Sequence, residues 1–375
     1  MTSPGLRDRR RRAAADALDV AVVGGGIVGC AIAAEASRRG LSAVLLERDS
    51  AVGRGATSRN SGVLHSGLYY APGSLAARTC VRGQALSYEM AARSGVPFRR
   101  TGKLVVAFDA PGEAALLALL ENATASGAAG IRLVDGDEAL RLEPSLRRPR
   151  AALWCPETGI VDAPALAAAF AREASAAGAI IAVGAELLGV SPGADGFTLD
   201  TTRGPIVAAQ VVNAAGLAAP TVAALFGDTA PQIWPCRGDW FALRAARVPS
   251  RLIYPVRVPD QPGLGVHVCL DLGGGLRLGP DARFVDSSDP VEPPADLAES
   301  FRRAGERLLG PIPPGALAWA GSAIRPRLRG PDDPGPVDFR IARGDSGALH
   351  LFGVESPGLT AAPALAEEVL DRLRA

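Results

Sequence analysis

An apolar run at 20–23 leads directly into Gly24-Gly-Gly-Ile-Val-Gly29, a G-x-G-x-x-G match at Gly24, Gly26 and Gly29. Few folds accept that junction. A short, wholly apolar run suits a central parallel strand covered on both faces. Glycine permits the tight turn that follows. It also lets backbone N–H groups approach a pyrophosphate at the next helix's N-terminus, where the dipole favours negative charge. The spacing predicts that helix over 30–39, closed by Gly40 as its C-cap. A second strand follows at 42–46 and ends in Glu47, eighteen positions past Gly29, where a carboxylate can reach a ribose hydroxyl. A glycine motif alone is weak. Strand, helix, second strand and terminal acid together predict dinucleotide binding, and they argue against a merely structural glycine turn. Glu47 favours a free 2′-hydroxyl, so FAD or NAD over NADP, and does not choose between those two. Ile27 and Val28 inside the motif, and Arg48 beside the acid, complete this first set of cofactor-binding candidates.

Composition narrows the partners. At 375 residues the chain can bury a full core, and two domains are expected. A formal net charge of +1 gives no reason to expect nucleic acid or an acidic membrane surface. Five scattered cysteines with no C-x-x-C pair argue against a zinc site and against a disulfide framework, so a cytoplasmic, reducing setting is expected. The arginine-rich stretch at 7–12 reads as part of a disordered tail over 1–16 and not as a secretory signal. No apolar run approaches the roughly 20 residues that span a bilayer. Lys103 is the one lysine, and arginine carries the rest of the positive charge. With the abundance of Ala, Gly and Pro, that reads as genome composition.

Beyond Glu47 the chain enters a polar, small-residue loop at 55–65 that includes Thr57, Ser58, Asn60, Ser61 and Gly62. Nicotinamide dehydrogenases usually continue there with another βα unit. Flavoproteins of the D-amino-acid-oxidase superfamily use such a loop to pass the pyrophosphate and the isoalloxazine, which points to FAD. The stretch Arg59-Asn-Ser-Gly-Val-Leu-His-Ser-Gly-Leu-Tyr-Tyr-Ala-Pro-Gly-Ser74 resembles the signature segment of the L-2-hydroxyglutarate oxidase/dehydrogenase family. Gly102-Lys-Leu-Val-Val-Ala107, Asn213-Ala-Ala-Gly216, Arg237-Gly-Asp239 and Leu264-Gly-Val-His-Val268 follow in family order. So do Leu278-Gly-Pro280, Ile324-Arg-Pro326 and Gly353-Val-Glu-Ser-Pro-Gly-Leu-Thr360. The resemblance runs from about Asp19 to the C-terminus, with Arg59 where the family usually carries His.

The resemblance implies an α/β chain of two discontinuous domains. A Rossmann-type FAD-binding domain would take 17–83, 150–233 and 330–375. A second, mixed β-sheet substrate domain would take 84–149 and 234–329. On the residues themselves, helices are expected at 85–93, 113–125, 163–177 and 295–309, the third with Asp162 as N-cap and Pro164 near its start. A strand is expected at 103–108. Runs at 180–190, 196–202 and 205–212 read as a small β-meander, and the Pro/Gly/Asp-rich stretch at 329–336 as a loop.

Three residues carry the expected chemistry. Oxidising an α-hydroxy acid by hydride transfer to flavin N5 needs a base for the hydroxyl proton, and histidine titrates in a useful range. His65 ends the loop that should reach the flavin; a hydrogen bond to the flavin or to a carbonyl is its plainer role. His267 lies in an alternating run that sets it opposite Val266 and Val268, so it faces the cavity if the valines face the core. The third histidine, His350, has no expected role. Arg325 resembles the superfamily arginine that forks a substrate carboxylate, with a surface ion pair as the plain alternative. Arg59, Tyr70 and Tyr254 are further substrate-binding candidates. Ala214 and Gly216 are expected against the cofactor. Gly353 closes the strand before the last helix, and Gly358, Leu359 and Thr360 lead into that helix, whose positive end should face the flavin N1–C2=O region.

The leading expectation is FAD-dependent oxidation of a small 2-hydroxy acid, L-2-hydroxyglutarate or a close relative, with oxygen or a quinone as electron acceptor. Peripheral membrane association follows if the acceptor is a quinone. An amine or amino-acid oxidase of the same fold is the second reading, and a non-catalytic flavin-binding protein the third.

Overall fold

The computed structural model describes residues 17–193, 196–245, 247–257, 264–286, 293–294, 296–333 and 338–374. The tail expected at 1–16 lies outside them, as does most of the second half of the loop at 329–336. Strand β1 (Leu18–Val23) feeds helix α1 (Ile27–Arg38), and strand β2 (Ala43–Glu47) returns parallel to β1. Strand Ile206–Asn213 runs parallel on the far side of β1, and Ile180–Val183 parallel on the far side of β2. Four residues of each labelled strand are fully covered, which is why both read as unbroken apolar runs. Leu349–Phe352 joins this sheet beside Ile206–Asn213, bringing the end of the chain back to its start.

The expected meander differs in one respect. The run at 180–190 is two strands, because Gly184 turns the chain at φ +63°. Ile180–Val183 joins the parallel sheet, whereas Leu187–Gly193 folds back on Gly196–Thr201, which pairs in turn with Ile206–Asn213.

A second, mixed sheet is centred on Lys103–Ala107, parallel to Leu252–Pro255 and antiparallel to Ala151–Cys155. The strand at 151–155, inside the span expected for the FAD-binding domain, pairs in this second sheet. Trp234–Leu243 and Leu317–Arg327 form a long antiparallel pair in the same sheet. A small sheet of Val63–Leu64, Gly159–Val161 and Phe98–Arg99 ends one residue before His65.

Helix Leu75–Arg93 begins ten residues ahead of its expected start. Ser74 Oγ accepts from Ala77 N–H at 3.1 Å, and the Asp338 carboxylate accepts from Leu75 and Ala76 N–H at 2.8 Å each. A cap and a charge together hold that first turn. Helix Ala110–Ala125 likewise starts early, capped by Asp109. Helix Ala163–Ala176 has the expected Asp162 cap, which accepts from Ala165 N–H at 3.0 Å. Leu297–Leu309 replaces the expected 295–309. Where helix Leu75–Arg93 crosses the last helix, Gly358–Arg374, only glycine fits. A Cβ on Gly83 would stand 2.3 Å from Thr360 O. Among the described residues, no helix is long and apolar enough to cross a membrane.

Candidate functional site

One cavity of about 1900 Å³ runs from the N-terminus of α1 to the second sheet. A compact small-molecule ligand needs a few hundred to about 1000 Å³, so this cavity suits a dinucleotide together with a small substrate.

At its first end Glu47 is fixed by two backbone donors. Oε2 accepts from Gly25 N–H at 2.7 Å and Oε1 from Asp49 N–H at 2.8 Å. Thr57 Oγ1 accepts from Ile27 N–H at 3.0 Å, tying the polar loop to the first turn of α1. A Cβ on Gly24 would lie 2.7 Å from Ala214 O, and one on Gly29 would lie 1.9 Å from Gly24 O. Gly29 therefore serves close packing between turn and helix, while Gly24, Gly26, Ile27 and Val28 form the wall. Glu47, Arg48, Thr57, Asn60 and Ser61 continue that wall, with Ala214 and Gly216 opposite.

Five expected cofactor contacts stand off the cavity surface. Gly29 is one. The Ser58 hydroxyl donates back to the Arg54 carbonyl at 2.8 Å. Gly62 and Gly353 hold left-handed turns, at φ +65° and +68°. Thr360 is fully buried; its hydroxyl accepts from His65 N–H at 3.0 Å, so it positions His65. Gly358 and Leu359 do line the cavity at the start of the last helix, next to Glu355, which pairs with Arg327 at 3.1 Å.

The other end gathers His65, Tyr70, Tyr254, His267 and Arg325, with Arg59 exposed on the wall between. His267 Nδ1 lies 2.8 Å from Gly265 O. A carbonyl only accepts, so Nδ1 carries the hydrogen and the neutral ring keeps its lone pair on Nε2. The ring stacks on Tyr254 with centroids 3.7 Å apart. Burial pushes the imidazole down to about 3, opposed by the hydrogen bond to Gly265 and aided by Lys103 and Arg325. Val268 is core, as expected, but Val266 lines the cavity beside His267. The strand begins only at Val268, so its alternation does not reach back to Val266.

His65 Nε2 lies 3.4 Å from Ser356 Oγ, and its buried Nδ1 has no partner among the described residues. Burial, then Lys103 and His267, hold it well below the usual imidazole range. The Tyr70 hydroxyl lies 3.5 Å from Ser356 Oγ. Burial drives the phenols of Tyr70 and Tyr254 well above their ordinary value, so both stay protonated donors. Arg325 Nη1 donates to Asp281 O at 3.2 Å, and its other Nη has no hydrogen bond among the described residues. His350 belongs elsewhere: its Nε2 meets Asp228 Oδ2 at 2.9 Å and Asn213 Nδ2 donates to its Nδ1 at 3.0 Å, deep in the first sheet.

Four residues escaped the sequence reading. Tyr69 and Ser356 sit inside segments whose neighbours were singled out. Trp240 lines the cavity and donates from Nε1 to Ser61 Oγ at 3.3 Å, with no local pattern to announce it. Lys103 is fully buried behind Tyr69 and Tyr254, and its one signal was its solitude.

The family described as FAD dependent oxidoreductase matches residues 19–372. L-2-hydroxyglutarate dehydrogenase, mitochondrial, of Arabidopsis thaliana is 31% identical over 98% of this chain and 86% of its own length. L-2-hydroxyglutarate dehydrogenase of Indibacter alkaliphilus is 30% identical over 91% of this chain and 95% of its own. Among solved structures, L-alpha-glycerophosphate oxidase from Mycoplasma pneumoniae with FAD bound superposes with a TM-score of 0.85 at 26% identity, covering 96% of this chain and 95% of that one. A dinucleotide turn, an acid fixed for a ribose and one continuous cavity past two histidines agree with those matches. This chain belongs to the FAD-dependent oxidoreductases of the D-amino-acid-oxidase type, and within them to the L-2-hydroxyglutarate dehydrogenase family.

Proposed function

We propose that this protein oxidises L-2-hydroxyglutarate, or a closely related 2-hydroxy dicarboxylate, to the 2-oxo acid. The observation that carries the reading is His267. Its Nδ1–H is committed to Gly265 O, so its free Nε2 lone pair is available as a base in the cavity that Arg325 also lines. FAD, when bound, supplies the two-electron acceptor; Gly24, Gly26, Glu47 and Thr57 would hold its dinucleotide part.

In this reading Arg325 grips the C1 carboxylate through its unused Nη, and the Tyr254 and Tyr70 hydroxyls donate to substrate oxygen. His267 Nε2 takes the hydroxyl proton as C2 is oxidised. Burial makes imidazolium costly. An anionic substrate alongside favours imidazolium and raises the base towards its working range. His65, anchored by Thr360 and Ser356, walls the same space. The cofactor part would comprise 17–83, 150–233 and 330–375, apart from the strand at 151–155, and the substrate part 84–149 and 234–329. Oxygen or a quinone would reoxidise the flavin. Five cysteines, all buried and unpaired, support a reducing compartment such as the cytoplasm.

The test is anaerobic mixing of the yellow holoprotein with 2-hydroxy acids and with amino acids. L-2-hydroxyglutarate is expected to bleach the flavin band. Bleaching by amino acids alone would overturn the reading in favour of an amine oxidase. No bleaching by any member of the panel would leave a flavin-binding protein without turnover.

A further inference from the structure

Lys103 is one lysine among 40 Lys and Arg residues, and it is fully buried. Its Nζ lies 4.8 Å from the ring centroid of Tyr69 and 5.0 Å from that of Tyr254, and both rings line the cavity. Among the described residues it has no hydrogen-bond partner. Nor, among the described residues, is an acid one of its charged neighbours. Helix Leu75–Arg93 offers Cys80 and strand Ala151–Cys155 offers Cys155. Burial pushes the Cys80 thiol up to about 12 and the Cys155 thiol in the same direction, so neither supplies negative charge near neutrality. From the loop after Val63–Leu64 comes His65, and ahead of strand Val268–Leu270 comes His267; both feel Lys103 as a positive neighbour. Arg251, one residue before strand Leu252–Pro255, is turned onto Thr101 O at 2.9 Å.

We propose that Lys103 is a positioning residue of the active site, an internal cation whose counter-ion is the carboxylate of the bound substrate. The inference rests on the dicarboxylate reading above. A buried ammonium without an anion is costly, and every anion that could settle that cost must come from the cavity side of Tyr69 and Tyr254. The residue type fits this role. An arginine stays charged whatever surrounds it, whereas a buried lysine can shed its proton. Burial lowers Lys103 from its usual value, because desolvation penalises the ammonium. The quadrupoles of the two rings favour the cation once an anion arrives. A bound carboxylate, facing the ammonium through the tyrosine wall, opposes that desolvation penalty and raises Lys103 again, with proton uptake wherever the amine was not already protonated. The Lys103 charge and that of the substrate anion act in opposite directions on His65 and His267. Anion affinity therefore falls as pH rises through the bound-state titration of Lys103.

A single lysine makes the test direct. Holoprotein grown on [13Cε]lysine should give one lysine signal, and glutarate, which has no hydroxyl to oxidise, serves as probe. Binding is read independently from the flavin absorbance band. Saturating glutarate is expected to raise the midpoint at which that signal titrates. K103M is expected to bind glutarate roughly tenfold or more weakly while retaining FAD. A midpoint that stays still while the flavin band reports bound ligand overturns the proposal, whether or not K103M folds. So does movement on dithionite reduction alone, which would make the flavin the counter-ion. If glutarate leaves the flavin band unchanged, the dicarboxylate reading fails, and the lysine signal is read with whichever carboxylate, such as butyrate, does perturb it.

Discussion

Arg325 sits near the end of Leu317–Arg327, opposite Cys236, with one nitrogen on Asp281 O at 3.2 Å. In the proposed role that bond steadies the guanidinium before substrate arrives. Lysine keeps the charge but neither the plane nor the second donor. R325K is expected to raise KM about tenfold to a hundredfold, the size of a lost charge-assisted hydrogen bond, with a smaller change in kcat; steady-state kinetics separate the two. His267 should show the opposite split. H267Q is expected to slow flavin reduction by roughly 10²- to 10⁴-fold, measured by anaerobic stopped flow, with FAD absorbance intact. Because burial pushes His267 down to about 3, kcat/KM should hold through pH 5 and fall only towards that value. The same shift acts on stability. The unfolded ring takes up a proton below about 6.5 and the folded ring only near 3. The contribution is therefore full above 6.5 and lost as pH falls between the two values. Thermal melting at pH 5 should cost H267Q less of its neutral-pH Tm than it costs the unsubstituted protein.

Elements whose signals are local were legible, and those fixed from afar were not. The junction of β1 and α1 announces itself because glycine spacing and apolar runs act within a few residues. The cap of Leu75–Arg93 did not, since half of it is Asp338, more than 260 residues along the chain. Gly184 split one strand-like run into two because sheet partners, not propensity, decided where each half pairs. Gly83 shows how an element's packing reaches the site. Its missing Cβ lets helix Leu75–Arg93 lie against Thr360 O, and Thr360 holds the His65 backbone. G83A must push those helices apart. A loss of about 1–3 kcal/mol is expected, read by urea unfolding, together with slower flavin reduction because the anchor of His65 shifts.

At the scale of the whole molecule the cavity is where the two sheets meet. Glu47 and Thr57 belong to the first sheet's side, whereas Tyr254, His267 and Arg325 are carried by the second. The sequence could name most of these residues, because each lies in a segment with its own pattern. It could not show that Tyr69, Trp240 and Lys103 join them, since their places depend on pairings such as Lys103 with Leu252 and Cys155. A ligand that touches both sides stabilises the native arrangement by mass action, about 4 kcal/mol at a thousandfold excess over Kd. FAD long enough to run from Gly26 to His65 should therefore couple the sheets. Calorimetry of holoprotein is expected to give one transition. Stripped of FAD, the protein should melt several degrees lower, and its calorimetric enthalpy should exceed the van't Hoff value as the sheets unfold less cooperatively. If the calorimetric and van't Hoff enthalpies stay equal after FAD is removed, the sheets are joined by their own packing and do not need a ligand between Glu47 and His267 to unfold together.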